Sequence, residues 1–276
     1  IKESHDGWSE ELSFHSIGEQ SFDWMVSVFA NTYEIDGSAE RKYPIPTVAQ
    51  TDPTYFNAGV MLPASSTTNF IAEADSYAFS ASLLKDLNEN TSFQMGLRVD
   101  RVSKDLKRSK VNSLTSSPAD ISVSANYSWL TPSLGLQREI NENFSTFFKS
   151  SLSQKPGGFS PYVDNADLIA AGVISLDYKE EKIWANEVGI SFNDSESESG
   201  FNISFFWNEI SDYQFEKPSG AFDYFVDNAD EVEIHGFELD FHTRPSSNWI
   251  FTGSYSFTDG EIKKHSGLSY DSGYDP

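Results

Sequence analysis

The residue types that most often carry chemistry are present here, but not in arrangements that perform it. His235 and His242 lie an odd number of positions apart in an alternating segment, so a strand sends them to opposite faces and they cannot share a metal ion. The pair Gly157-Gly158 lacks the Gly-Lys-Ser/Thr ending of a phosphate loop and reads as a loop turn. Asp223, Asp227, Asn228 and Asp230 would suit calcium by type, yet their spacing is not that of an EF-hand loop. With 42 Asp and Glu in 276 residues, paired carboxylates are expected by chance and carry no signal. There is no cysteine, which excludes disulfides and thiolate metal sites. These patterns predict no catalytic centre, no resident metal and no cofactor.

The elements behind those residues are more informative. From Gly236 to Phe257 the chain reads as two strands about a polar turn, with Phe237, Leu239 and Phe241 on one face and Glu238, Asp240 and His242 on the other. In the second strand Trp249, Phe251, Tyr255 and Phe257 alternate with Ile250, Thr252, Ser254 and Ser256. Period-two alternation gives each strand one apolar and one polar face. Such a strand fits a soluble sandwich, or a membrane barrel with lipid outside and a wet lumen.

The same pattern recurs in ten segments. Trp8 to His15, Phe22 to Ala30, Tyr77 to Leu83, Phe93 to Val99, Leu134 to Ile140, Phe144 to Leu152, Trp184 to Phe192 and Phe201 to Trp207 precede the pair above. Connections alternate between short turns (17–21, 88–90, 141–143, 194–199 and 245–248) and long irregular segments (32–76, 104–127, 154–182, 211–231 and beyond 259). A sandwich has no reason to gather every long connection at one end, whereas an outer-membrane barrel has short periplasmic turns and long outer loops. The spacing therefore predicts an all-β, antiparallel transmembrane β-barrel meander. No apolar run approaches the ~18 residues of a membrane helix. The net charge of −23 makes nucleic acid an unsuitable partner.

Four stretches resemble TonB-dependent outer-membrane receptors. They are Phe144 to Phe159, with its Lys-Pro-Gly-Gly-Phe ending; Glu181 to Ile190, similar to a Tyr-Glu-x-Gly strand with Asn186 in place of Tyr; Phe205 to Gln214, which ends in Asp-x-Gln; and Asn228-Ala229 followed by Gly236 to Asp240. The resemblance implies a barrel of about 22 strands around a plug. It also implies import of a ferric siderophore or similar scarce nutrient across the outer membrane of a Gram-negative cell, driven by the TonB complex. On that reading residues 1–276 are an interior piece of the barrel, without the plug or the closing strands.

Ligand recognition in that family falls to loops and the inner wall. The resemblance thus points to Arg98 on the wall, which faces inward by alternation, and to Tyr162, Tyr213, Phe222 and Tyr224 on loops. Asp100 and Glu139 are competing partners for Arg98, and the aromatics would equally serve a membrane-interface girdle or loop packing. A passive porin and a soluble all-β adhesin or carbohydrate-binding module are the other functional classes compatible with the strand pattern.

Overall fold

The computed structural model describes residues 1–18, 20–46, 61–112, 119–163, 175–218 and 224–264. Among the described residues there are twelve strands: β1 (Lys2–His15), β2 (Asp23–Pro46), β3 (Met61–Asn88), β4 (Thr91–Asn112), β5 (Ala119–Glu139), β6 (Phe144–Lys155), β7 (Gly158–Phe159), β8 (Asp177–Tyr178), β9 (Glu181–Asp194), β10 (Ser199–Pro218), β11 (Tyr224–Ser246) and β12 (Trp249–Lys264). Ten of them form one antiparallel meander in chain order, and β7 and β8 pair separately.

Register carries the alternation across the sheet without a change of face. Phe93, Leu136, Phe148, Val188, Phe205, Phe237 and Phe257 stand opposite one another in a row that crosses β4, β5, β6, β9, β10, β11 and β12. The adjacent row on the other face is Gln94, Gly135, Lys149, Glu187, Phe206, Gly236 and Thr258. A one-residue slip anywhere would exchange the two rows, so the aromatic face fixes the pairing. Rings on that face meet at 5.6–6.1 Å between Phe237 and Phe205, Tyr255 and Phe257.

This aromatic face is uncovered. Val28, Phe79, Leu97, Leu134, Phe205, Phe241 and Phe257 are all exposed, with Phe205 at 54%. The buried residues Phe70, Ala74, Ala78, Val102 and Leu106 lie on the opposite face. The apolar band has a sharp upper limit: Phe257 gives way to Asp259 on β12, Trp207 to Glu209 on β10, and Val99 to Arg101 on β4. On β12 the band runs from Trp249 to Phe257. That length is about 27 Å along a strand at ~3.4 Å per residue, or about 21 Å of height at ~40° of tilt, close to the ~25 Å apolar band of a membrane barrel.

Three of the segments expected to be irregular are largely strand. β2 continues to Pro46, β3 begins at Met61, β4 runs to Asn112, β5 begins at Ala119, β10 reaches Pro218 and β11 starts at Tyr224. Apolar alternation stops where a strand leaves the lipid band, but the main-chain ladder needs only N–H and C=O groups and continues with Ser, Thr and charged residues on both faces. Periodicity thus measured the height of the band, not the length of the strands.

Gly236 shows how tightly the inner face is built. The Phe206 ring lies over it, and a Cβ there would run into that ring and the Phe257 carbonyl. Gly236→Ala should lower stability by about 1–3 kcal/mol, the usual range for overpacking. Gly260→Ala, where a Cβ meets only ordinary contact with Ile234, should be near neutral. Urea midpoints of the refolded full-length polypeptide in detergent would compare the two.

Candidate functional site

One connection leaves the wall. After Lys155, Pro156 has no N–H to continue the ladder, and residues 156–163 and 175–180 run as a strap across the inner face. The two ends of the strap meet in the β7–β8 pair, Gly158 opposite Tyr178 and Phe159 opposite Asp177. Gly157 and Gly158 are therefore not at a turn, contrary to expectation. They sit where the strap is squeezed against the wall: a Cβ on Gly157 would collide with the Tyr178 carbonyl and the Tyr127 hydroxyl, and one on Gly158 with the Tyr178 ring. The Lys104 ammonium donates to the Gly157 carbonyl at 2.8 Å.

On one flank the strap docks on the upper inner wall of β1 to β4. Arg108 Nη1 donates to the carbonyls of Pro161 (3.2 Å) and Val163 (2.8 Å), and Arg41 Nη1 donates to that of Tyr162 (3.4 Å). Tyr162 packs edge-to-face on Phe70 with centroids 5.1 Å apart, and its hydroxyl donates to Glu3 Oε1 at 2.5 Å. The Phe70 ring in turn fills the space where a Cβ on Gly37 would stand.

The other flank is a clamp from β9, β10 and β11. Gln214 Nε2 donates to the carbonyls of Pro156 (3.0 Å) and Lys179 (2.8 Å), while its backbone N–H donates to Glu181 Oε2 at 2.7 Å. The Lys179 N–H donates to Asn228 Oδ1 (2.8 Å), and Asn228 Nδ2 donates to the Asp212 carbonyl (2.6 Å). Asp212 takes a left-handed φ of 52°, a conformation Asp tolerates better than most residues. The Val226 N–H donates to the Ser160 hydroxyl at 3.1 Å. Ala229 is fully buried beside Ile210 and Val232.

These contacts define the shape of the sheet. Glu3 on β1 and Val226 on β11 are eight inter-strand steps apart, roughly 38 Å along a sheet at about 4.8 Å per step. Yet they touch Tyr162 and Ser160, two residues apart on the strap. The sheet must curl, with the strap inside and the aromatic face outside. The Lys-Pro-Gly-Gly-Phe, Asp-x-Gln and Asn-Ala elements, far apart in sequence, all meet at the base of the strap.

Of the residues the sequence put forward, Tyr162 is at the heart of the strap. Arg98 does face inward, but Asp100 holds it with Nε–Oδ distances of 2.9 and 3.0 Å, and its guanidinium lies 5.7 Å from the Phe29 ring centroid. Tyr213 stacks on Phe215 and packs against the Ile210–Ala229–Val232 cluster. Phe222 and Asp223 lie outside the described residues, as does the side chain of Tyr224. His235 faces Asp259 at 3.9 Å, Asp227 faces Lys217 at 3.4 Å, and Asn228 belongs to the clamp.

Arg41, Arg108 and Lys110 were missed. Lys104, Leu106, Arg108 and Lys110 alternate along β4 on the inner face set by Arg98 and Asp100, and that alternation was the available signal. Polar and charged residues on both faces of 104–127 hide that alternation. Burial, and then the neighbouring charges of Arg108 and Arg41, push the Lys110 ammonium down to about 8. Burial also lowers Arg108, and it raises the Tyr162 phenol, which the bond to Glu3 raises further. The site offers cationic donors and aromatic rings above the lipid band, which suits binding rather than bond-making. Among the described residues no group of three or more His, Asp or Glu is placed to hold a metal ion.

Comparison with known proteins agrees with this geometry. In solved structures the fold is similar to the ferric yersiniabactin uptake receptor FyuA of Yersinia pestis, at a TM-score of 0.72 and 16% identity over 94% of this chain and 36% of that one. It is also similar to the siderophore receptor PiuA of Acinetobacter baumannii, at 0.64 and 15% over 96% and 40%. The copper transporter OprC gives 0.57 and 13% over 94% and 48%. At these identities the likeness concerns the fold, and the chain spans less than half the length of each. A search of curated protein sequences finds no match. The family described as TonB dependent receptor-like, beta-barrel matches residues 5–275. The chain accordingly belongs to the TonB-dependent receptor β-barrel family, whose members are receptors and not enzymes.

Proposed function

We propose that the chain is a section of the barrel wall of an outer-membrane receptor that imports a scarce nutrient, a ferric siderophore being the leading class, by TonB-dependent active transport. The plug, the contact with the TonB complex and the closing strands then belong to the remainder of a longer polypeptide. The carrying observation is the strap: a wall with an apolar outer band holds, on its inner face above that band, a docked segment that carries Tyr162 and is held by Arg108, Arg41 and Phe70. A passive pore needs an open lumen, whereas a receptor needs donors and rings where the ligand arrives. Tyr162 stays a ligand-contact candidate on this reading, together with Tyr213, Phe222 and Tyr224. Arg98 sits lower on the wall, where a ligand on its way inward would meet it.

The test is iron-limited growth of cells whose only siderophore receptor is the full-length protein, offered a panel of ferric siderophores. Growth on at least one complex that stops when TonB is lost or the proton gradient is collapsed is the expected result. Uptake that persists without energy would place the protein among passive porins.

A further inference from the structure

We propose that the outer face of β6, β9 and β10 carries a seat for one acylated, phosphorylated glycolipid of the outer leaflet, with Asn186 taking an acyl carbonyl and Lys182 a phosphate. The seat rests on the membrane-barrel wall and not on what the receptor imports.

Asn186 is the anomaly that leads there. Its rung on the lipid-facing side runs Ser150, Asn186, Trp207, and along β9 it stands between Trp184 and Val188. It is 6% exposed. Its amide oxygen accepts the Ser150 hydroxyl at 2.7 Å, and Ser150 Oγ accepts the Trp184 indole N–H at 2.9 Å. That chain orients the amide and uses one of its two polar atoms. Among the described residues nothing accepts from Asn186 Nδ2, and the nitrogen is not sealed from the surface. Hydrocarbon has no acceptor to offer, and an amide N–H left there unpaired costs free energy. Thr146, lower on the same face of β6, shows the ordinary solution: its hydroxyl donates to the Gly189 carbonyl at 2.8 Å and needs nothing from the lipid.

Height identifies the acceptor. Trp184 ends the apolar run on β9, with Lys182 beyond it, as Trp207 ends the run on β10 with Glu209 beyond. Indoles at the band edge sit at head-group level. Asn186 is two residues below Trp184, about 7 Å along the strand and about 5 Å in height at ~40° of tilt. The head-group layer is itself about 5–7 Å thick, so this depth is that of the carbonyls by which acyl chains are attached. Lys182 is exposed and its cross-strand neighbours, Gln154 and Ser211, are neutral, while Glu209 stands opposite Trp184, one rung lower. The ammonium is thus placed to meet a phosphate above the amide. The long connections put this end of the barrel outside the cell, where the leaflet is built of phosphorylated glucosamine lipids with amide- and ester-linked chains. Phosphatidylethanolamine brings its own ammonium and gains less from Lys182.

The full-length receptor, delipidated in detergent, is titrated with bis-phosphorylated lipid A, its dephosphorylated form and phosphatidylethanolamine, with bound lipid counted by native mass spectrometry. One tightly held lipid A per receptor is expected, about tenfold or more tighter than phosphatidylethanolamine. Asn186→Leu should weaken lipid A and its dephosphorylated form alike, by about tenfold. Lys182→Gln should weaken lipid A about tenfold and leave the dephosphorylated form unchanged within about twofold. Thr146→Val, whose hydroxyl is satisfied by the wall itself, should change neither. Heat-modifiable migration checks that each variant is folded. Lys182→Gln lies outside the Trp184–Ser150–Asn186 chain, so its phosphate-specific loss decides the case should Asn186→Leu fail to fold. Lipid A held equally by the parent and both variants, phosphatidylethanolamine bound as tightly as lipid A, or a receptor dimer that Asn186→Leu dissolves in place of a lipid adduct would each overturn the proposal.

Discussion

Arginine at Val188 or Phe205 should cost the folded receptor about 2–4 kcal/mol, the range for a cation at the lipid midplane of a barrel. Both residues belong to the aromatic row and are exposed on the outer face, midway along its band, with Trp207 and Glu209 marking its upper edge. A guanidinium there has no water, no counter-ion and no short route to the interface. Glu238→Arg, next to Phe237 but on the inner face, puts the same charge into a wet lumen and should be tolerated. Heat-modifiable migration and urea midpoints would separate the sets. Equal behaviour of the two would mean that the faces are assigned wrongly.

Gln214→Leu should release the strap and leave the barrel folded. The carboxamide is buried and donates to both Pro156 and Lys179, so leucine strands the Pro156 carbonyl at a cost of about 1–3 kcal/mol and leaves the Lys179 carbonyl only the longer bond from Asn228 Nδ2 at 3.3 Å. Asn228→Ala removes the companion bonds to Lys179 and Asp212 and should act in the same direction. Neither carboxamide takes part in the sheet ladder, so assembly should be normal while residues 156–163 become open to protease added outside the cells. A strap that stays protected in both variants would show that the clamp does not hold it.

Much of the wall was legible because membrane strands repeat a simple constraint: one face must suit lipid. Phe237 against Glu238, or Val188 against Glu187, is decided by alternation alone, and the recurrence of ten such segments pointed to a meander before any contact was known. What lay above the lipid was not legible. On β4, Lys104, Arg108 and Lys110 keep the same alternation, but polar residues on both faces erase the contrast, so strand and loop look alike. The strap was harder still. Pro156, Gln214 and Asn228 meet only because the sheet curls, and nothing local in their sequence shows that their hydrogen bonds go to one another. The resemblance gathered these stretches by likeness, and the structure gives the physical reason they belong together. Arg98 shows the opposite case, where the competing partner noted from sequence, Asp100, is the one engaged.

The central claim is that this sheet is the wall of a membrane barrel with its aromatic face in lipid. Single spin labels placed in turn along β12 from Trp249 to Lys264 in the full-length receptor test it directly, read as accessibility to oxygen against a water-soluble nickel chelate. Lipid exposure should peak at 249, 251, 253, 255 and 257, fall at the even-numbered positions between them, and vanish from Asp259 onward. Labels that show no period of two, or equal water access on both faces below Asp259, would contradict the account.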